Sequence, residues 1–164
     1  IKLQSFEVPV DKKQELLEHL LGVDNCSFLV FVRTKHGADR VAKRLARAGH
    51  SATRIHGDRT QSQRTAALRS FAQGQHRVLV ATDVAARGID VADVAHVVNF
   101  DMPKEAEDYV HRVGRTGRAQ SLGIASTFAA PDDAHALRKI ERTLDITTRK
   151  YSVRPNAAVH AQMA

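Results

Sequence analysis

Cysteine is almost missing from this 164-residue chain: Cys26 stands alone, so no disulfide can form within it and no cysteine pair can hold a metal. A reducing cytoplasm fits that usage. None of the nine histidines falls in an HExxH pattern or another familiar metal spacing, which argues against a metal held by this chain alone. Long apolar runs are also absent. The longest, Phe28 to Val32 and Val78 to Ala81, are strand-sized and far short of the roughly 20 residues that cross a bilayer, so no membrane association is expected. None of the nine glycines is followed by lysine, so the phosphate-cradling GxxxxGK(S/T) loop is missing. No GxGxxG follows a predicted strand, which sets a dinucleotide-binding oxidoreductase aside. There is neither a signal peptide nor an initiating methionine, the pattern of a piece excised from a longer protein.

Hydrophobic residues make up 43% of the chain and charged residues 26%, a globular profile. The length suits one well-filled core rather than two domains. A formal charge of +7 favours an anionic partner and leaves RNA, DNA and nucleotide open. Six stretches read as strands: a loosely alternating one that puts Phe6, Val8 and Val10 on one side, FLVFV at 28–32, residues 52–56, VLVA at 78–81, VVNF at 97–100 and IASTF at 124–128. A helix is expected up to Leu21, with Asp11 and Gln14 at capping spacing and Gly22 as its stop. Others are expected around Ala38 to Leu45, over Gln61 to Ala72 with a Thr60/Gln63 capping box, over Pro103 to Val113, and over Pro131 to Leu144. Arg40, Lys43, Arg44 and Arg47 fall mostly on the outer side of their helix and read as a solvated face. The alternation predicts an α/β fold, a parallel sheet with helices on both faces. From about Arg149 the sequence turns polar, so residues 1–148 read as the domain and 149–164 as a frayed basic tail.

In open parallel sheets ligands gather at the carboxyl ends of strands, which directs attention to the loops after residues 32, 56, 82 and 101. The first carries Arg33 and Thr34. The second carries HGDRTQSQR, residues 56–64, a Gly57 turn into a helix N-terminus where backbone N–H groups face an anion, with Arg64 one turn inside. Asp58 and Thr60 suit plain helix capping as well. The third carries ATDVAARGID, residues 81–90. Thr82 offers a small hydroxyl, Arg87 charge, Gly88 a sharp turn, and Asp90 a carboxylate suited to ribose hydroxyls. Asp83 has no sequence neighbour for acid–base work and reads as a loop or turn residue. The densest cluster is HRVGRTGR, residues 111–118, with arginines at 112, 115 and 118 and glycines at 114 and 117. Three guanidinium forks on one short segment suit phosphate oxygens, although a helix ending in cations has the same look.

Together these blocks resemble the C-terminal motifs of the DEAD-box RNA helicases, a branch of helicase superfamily two. The resemblance covers roughly residues 1–145, and His111, where related branches commonly carry glutamine, makes it specific. It implies a RecA-like parallel sheet in a single domain. It further implies RNA-backbone contacts from Arg33, Thr34, Gly57, Gln61 and Arg64, joined by Thr82 and Arg87. Gly88 and Asp90 would bind nucleotide, Asp90 through the ATP ribose. Arg115 and Arg118 match the arginines that approach the ATP phosphates, Arg118 as the arginine finger, while His111 and Arg112 would tie this domain to a second one.

The absent phosphate loop and DEAD tetrapeptide both belong to the family's N-terminal RecA-like domain; EAED at 105–108 is only an echo. The resemblance therefore implies the second half of an ATP-dependent RNA helicase core, inactive as a fragment, with ATP and Mg2+ held mainly by the N-terminal domain of the same parent chain. Closure of the two domains on single-stranded or duplex RNA would pry short duplexes apart. The motif style resembles bacterial helicases that assist ribosome assembly. A DNA-unwinding relative and a non-catalytic RNA-binding or protein-interaction module stay open on the residues alone.

Overall fold

The computed structural model describes residues 1–87, 91, 93–117 and 122–163. Among them run strands β1 (Lys2–Glu7), β2 (Phe28–Phe31), β3 (Ala52–Ile55), β4 (Val78–Ala81), β5 (His96–Asn99), β6 (Ile124–Ala129) and β7 (Arg149–Ser152). They form one sheet in the order β3-β4-β2-β5-β6-β1-β7, with every neighbouring pair parallel. The connecting helices are α1 (Lys13–Val23), α2 (Lys35–Arg47), α3 (Gln61–Ala72), α4 (Asp83–Ala86), α5 (Ala106–Val113), α6 (Ala134–Leu144) and α7 (Val159–Met163).

Strand β2 shows how the layers arise. Phe28 and Val30 enter one core with Leu16 and Leu20 of α1 and Val41 and Leu45 of α2, while Leu29 and Phe31 join the opposite core with Ala67 of α3 and Ala85 of α4. A third cluster joins Tyr109 and Val113 of α5 to Leu137 and Ile140 of α6. A strand buried on both faces favours apolar residues at every position, hence the unbroken FLVF. Each such side chain contributes about 1.5–3 kcal/mol by leaving water. The α/β expectation is met, and so is the Thr60/Gln63 capping box: Thr60 Oγ1 accepts from the Gln63 amide at 3.1 Å and Gln63 Oε1 from the Thr60 amide at 2.9 Å.

Four expectations fail for physical reasons. Asp11 and Gln14 form no capping box, because Val10–Lys12 turn as a 3-10 helix and α1 starts at Lys13 without a side-chain cap. That turn also swings Val10 outward, to 70% exposure. Gly22 does not stop α1. Arg77 reaches across to the carbonyls of Leu21 at 2.6 Å, Cys26 at 2.9 Å and Asp24, so the carbonyls at the helix end find a donor and the helix continues to Val23. The helix expected from Pro103 begins only at Ala106.

The reading of residues 149–164 as a frayed tail also fails for those described. Strand β7 pairs with β1 from Gln4↔Arg149 to Glu7↔Ser152, and Tyr151 stacks on Phe6 with ring centroids 5.0 Å apart. Val153 and Val159 are buried, and the Val159 amide donates to Glu15 Oε2 at 2.6 Å. An edge strand leaves most of its side chains in water, so β7 needs little apolar sequence.

His96, fully buried in β5, stacks on Phe28 at 4.4 Å and bonds Ser126 Oγ through Nε2 at 2.7 Å. Its Nδ1 faces Asp24 Oδ2 at 3.4 Å without completing a hydrogen bond. Burial outweighs the attraction of Asp24 and lowers the His96 pKa to about 4. The unfolded chain therefore takes up a proton near pH 6.5 that the folded chain refuses until about pH 4. Stability present above pH 6.5 is lost progressively between those values, by up to about 3 kcal/mol. Burial and His160 lower the pKa of His19 too, with the same sign. Urea unfolding at stepped pH reads the slope, and His96→Asn is expected to flatten it; an unchanged slope refutes the assignment to His96.

Candidate functional site

Register builds the site. Ile55 pairs with Ala81, Ala81 with Phe31 and Phe31 with Asn99, so β3, β4, β2 and β5 end in one row and their loops leave the sheet side by side. Arg33 and Thr34, the 56–64 block, Thr82 and Asp101 thus share one edge.

In the second of these loops, the Arg59 amide closes a turn onto the His56 carbonyl at 3.1 Å. His56 is buried. Its Nδ1 accepts from the Asp58 amide at 3.2 Å, which leaves Nε2 to donate to Asp39 Oδ1 at 2.9 Å. Burial opposes ionisation of Asp39, but the hydrogen bonds from Arg54 and His56 prevail and hold its carboxyl below the usual range. Gly57, at the tip of the turn, does not have a positive φ, and a Cβ there would meet nothing within 4 Å. The fold does not demand glycine at that point, and its bare backbone is open to a ligand. Gln61 is exposed in the first turn of α3. Arg64 reaches back to the His56 carbonyl at 3.4 Å, yet its Nε and that of Arg59 are buried without hydrogen-bond partners. Unpaired buried donors are uncommon in folded chains.

Thr34 and Thr82 cap α2 and α4, accepting from Gly37 at 2.9 Å and Ala85 at 3.4 Å. Arg33 is exposed, and its amide donates to Asp101 Oδ2 at 2.7 Å; Asp101 Oδ1 pairs with Lys13 Nζ at 3.3 Å. Arg33, Thr34, Lys13 and Asp101 line a cleft of about 570 Å³ that continues onto α2.

Arg112, which the resemblance places between two domains, is engaged within this one. It is 3% exposed and grips Asp83 with two 2.7 Å bonds, from Nε and Nη2. Its Nη1 donates to Asn99 Oδ1 at 3.2 Å and to the Asp101 carbonyl at 2.8 Å, and the guanidinium lies 5.3 Å from the Phe31 ring centre. With its hydrogen-bonding groups engaged inside the domain, it is a strut between α5 and three strand ends. Asp83, read as a loop residue, is its anchor on α4. Asn99 and Asp101 belong to no motif of the sequence, although the strand-end rule points to their loop.

His111, Arg115 and Arg87 meet Asp83 and Asp108 around a pocket of about 200 Å³. His111 is exposed, and Arg87 lies 3.5 Å from Asp108. Arg87 thus stands with the arginine loop, and it does not share the cleft of Arg33 and Thr34. The Arg115 carbonyl accepts from the Val94 amide at 3.1 Å, and its Nη2 donates to the Ala86 carbonyl at 3.3 Å. Gly117 has φ +69, and a Cβ there would run into the Ile1 side chain, so this glycine is required by the turn. Gly88, Asp90 and Arg118 lie outside the described residues. Among the described residues no three His, Cys, Asp or Glu side chains gather to hold a metal ion, and no helix is long and apolar enough to cross a membrane.

A fully parallel sheet covered by helices, with an arginine loop beside its strand ends, is a RecA-like domain. The family model described as the helicase conserved C-terminal domain matches residues 11–120. The chain is 50% identical over 144 residues to the DEAD-box ATP-dependent RNA helicase CshA of Bacillus subtilis, covering 86% of this chain and 29% of that protein. In structure it resembles the E. coli DEAD-box protein SrmB bound to regulator of ribonuclease activity A, with a TM-score of 0.89 and 36% identity over 96% of this chain and 95% of that one. It also resembles S. cerevisiae Dbp5 bound to RNA and ADP BeF3, with a TM-score of 0.86 and 31% identity over 93% of this chain and 41% of that one. The chain belongs to the helicase C-terminal domains, and within them to the DEAD-box family. It spans less than a third of the length of the curated relatives it matches.

Proposed function

We propose that this chain is the RNA- and nucleotide-facing C-terminal half of an ATP-dependent RNA helicase core. The observation that carries this reading is the pair of buried, unpaired Nε donors of Arg59 and Arg64 beside the bare Gly57 backbone. Arginine forks and open backbone together suit the phosphates of an RNA strand. Arg64, Gly57 and Gln61 hold that strand with Thr82, Arg33 and Thr34. The solved complex of Dbp5 with RNA and ADP BeF3 supports this use of the fold.

The pocket of Arg115, His111 and Arg87 is too small for a whole nucleotide and cationic on one side, which suits a half-site for ATP phosphates. Arg115 acts there with Arg118, and Gly88 and Asp90 complete the nucleotide contacts. The rest of the ATP site, with Mg2+ bridging the phosphates, belongs to an N-terminal RecA-like domain. A cytoplasmic role on ribosomal RNA is the cellular form of this reading.

The test is ATP hydrolysis by the full-length protein with no nucleic acid, with single-stranded RNA and with DNA of the same sequence. RNA-selective stimulation is expected, and Arg64→Ala is expected to raise the RNA concentration for half-stimulation about tenfold, the loss of one charge-assisted contact. Equal stimulation by DNA transfers the protein to the DNA-unwinding relatives, and no hydrolysis leaves a binding module.

A further inference from the structure

Helix α2 carries a charge pattern that the fold does not use. At ~100° per residue, His36, Arg40, Lys43, Arg44 and Arg47 fall within one arc of about 100°. All five are exposed, while Ala38, Val41, Ala42 and Leu45 on the far side are buried. Among the described residues no carboxylate pairs with any of the five. Asp39, on the same helix, is occupied by Arg54 and His56. Arg40/Lys43, Arg40/Arg44, Lys43/Arg47 and Arg44/Arg47 are all like-charged at three- or four-residue spacing, and each such pair weakens a helix. The helix dipole accounts for Arg44 and Arg47 in the last turn but not for Arg40 and Lys43.

We propose that this face of α2 is a second RNA-backbone surface, holding the RNA that flanks the segment gripped at the strand-end row. The inference rests on the RNA reading above. Continuity supports it, because Arg40 and Arg44 line the same cleft as Arg33 and Thr34. Chemistry supports RNA over a protein partner: none of the large exposed hydrophobic side chains of the described residues lies on α2, so the face offers cations without an apolar anchor. The contacts are to phosphate and carry no sequence preference.

The test uses the full-length protein, a short single-stranded RNA that fills only the strand-end row, and the same RNA extended by a hairpin. Neutralising the part of the face outside that cleft, in Lys43→Gln and Arg47→Gln together, is expected to weaken binding of the extended RNA about fivefold or more. The slope of log affinity against log salt should fall by about one to two, as fewer counterions are displaced. Affinity for the short RNA and ATP hydrolysis saturated with it stay at parental values. The variant melts no lower than the parent, because like charges have been separated. Unchanged binding of the extended RNA overturns the proposal and returns the face to solvent; equal weakening on both RNAs overturns it too, since the effect is then not on the flank. Arg64→Ala measured on the short RNA separates the two levels: if it has no effect, the RNA reading of the strand-end row fails and this inference fails with it.

Discussion

Arg112→Ala is expected to destabilise the chain by about 3 kcal/mol or more, read as a lower urea midpoint at unchanged slope. The guanidinium is nearly inaccessible and serves Asp83, Asn99 and the Asp101 carbonyl at once. Its removal leaves a carboxylate, an amide oxygen and a carbonyl without donors, each with its own desolvation penalty. Asp83 keeps 32% of its side chain exposed and can rehydrate in part, which places the estimate at the low end of the ~3–5 kcal/mol range for broken buried pairs. Arg112→Lys is expected to recover less than half, since an ammonium cannot reproduce the two-point grip on Asp83. Parental stability with lost RNA-stimulated hydrolysis is the opposing result, and it restores Arg112 to the domain boundary.

That expectation could not come from the sequence. Arg112 lies 29 residues from Asp83 and 13 from Asn99, and only the sheet register brings them together. The strands of the interior were legible because burial on both faces writes an unbroken apolar run, as in FLVF and VLVA. The capping box of α3 was legible because its two bonds join residues three apart. Strand β7 was not, because an edge strand held by its backbone, one stacked tyrosine and the Lys150–Glu141 ion pair has almost no apolar signature. The strand-end rule found the loops of the site, and the motifs named their arginines. Neither could distinguish a strut from a ligand contact, because Arg112 and Arg115 differ in burial and not in residue type or spacing.

That difference sets the second expectation: Arg115→Ala in the full-length protein lowers RNA-stimulated ATP hydrolysis about a thousandfold or more. Its backbone is held by the Val94 amide and by Thr116, whose hydroxyl bonds the carbonyls of Val94 and Ala95, so the side chain projects from a fixed base. The side chain lines the pocket it shares with His111 and Arg87, where phosphate oxygens suit a guanidinium fork. A group that stabilises charge on the transferred phosphoryl lowers kcat while leaving RNA affinity without nucleotide near parental, and Arg115→Lys restores little because the fork is lost. A raised KM with unchanged kcat indicates ground-state ATP binding instead. Hydrolysis at the parental rate removes Arg115 from the reaction and leaves the finger role to Arg118.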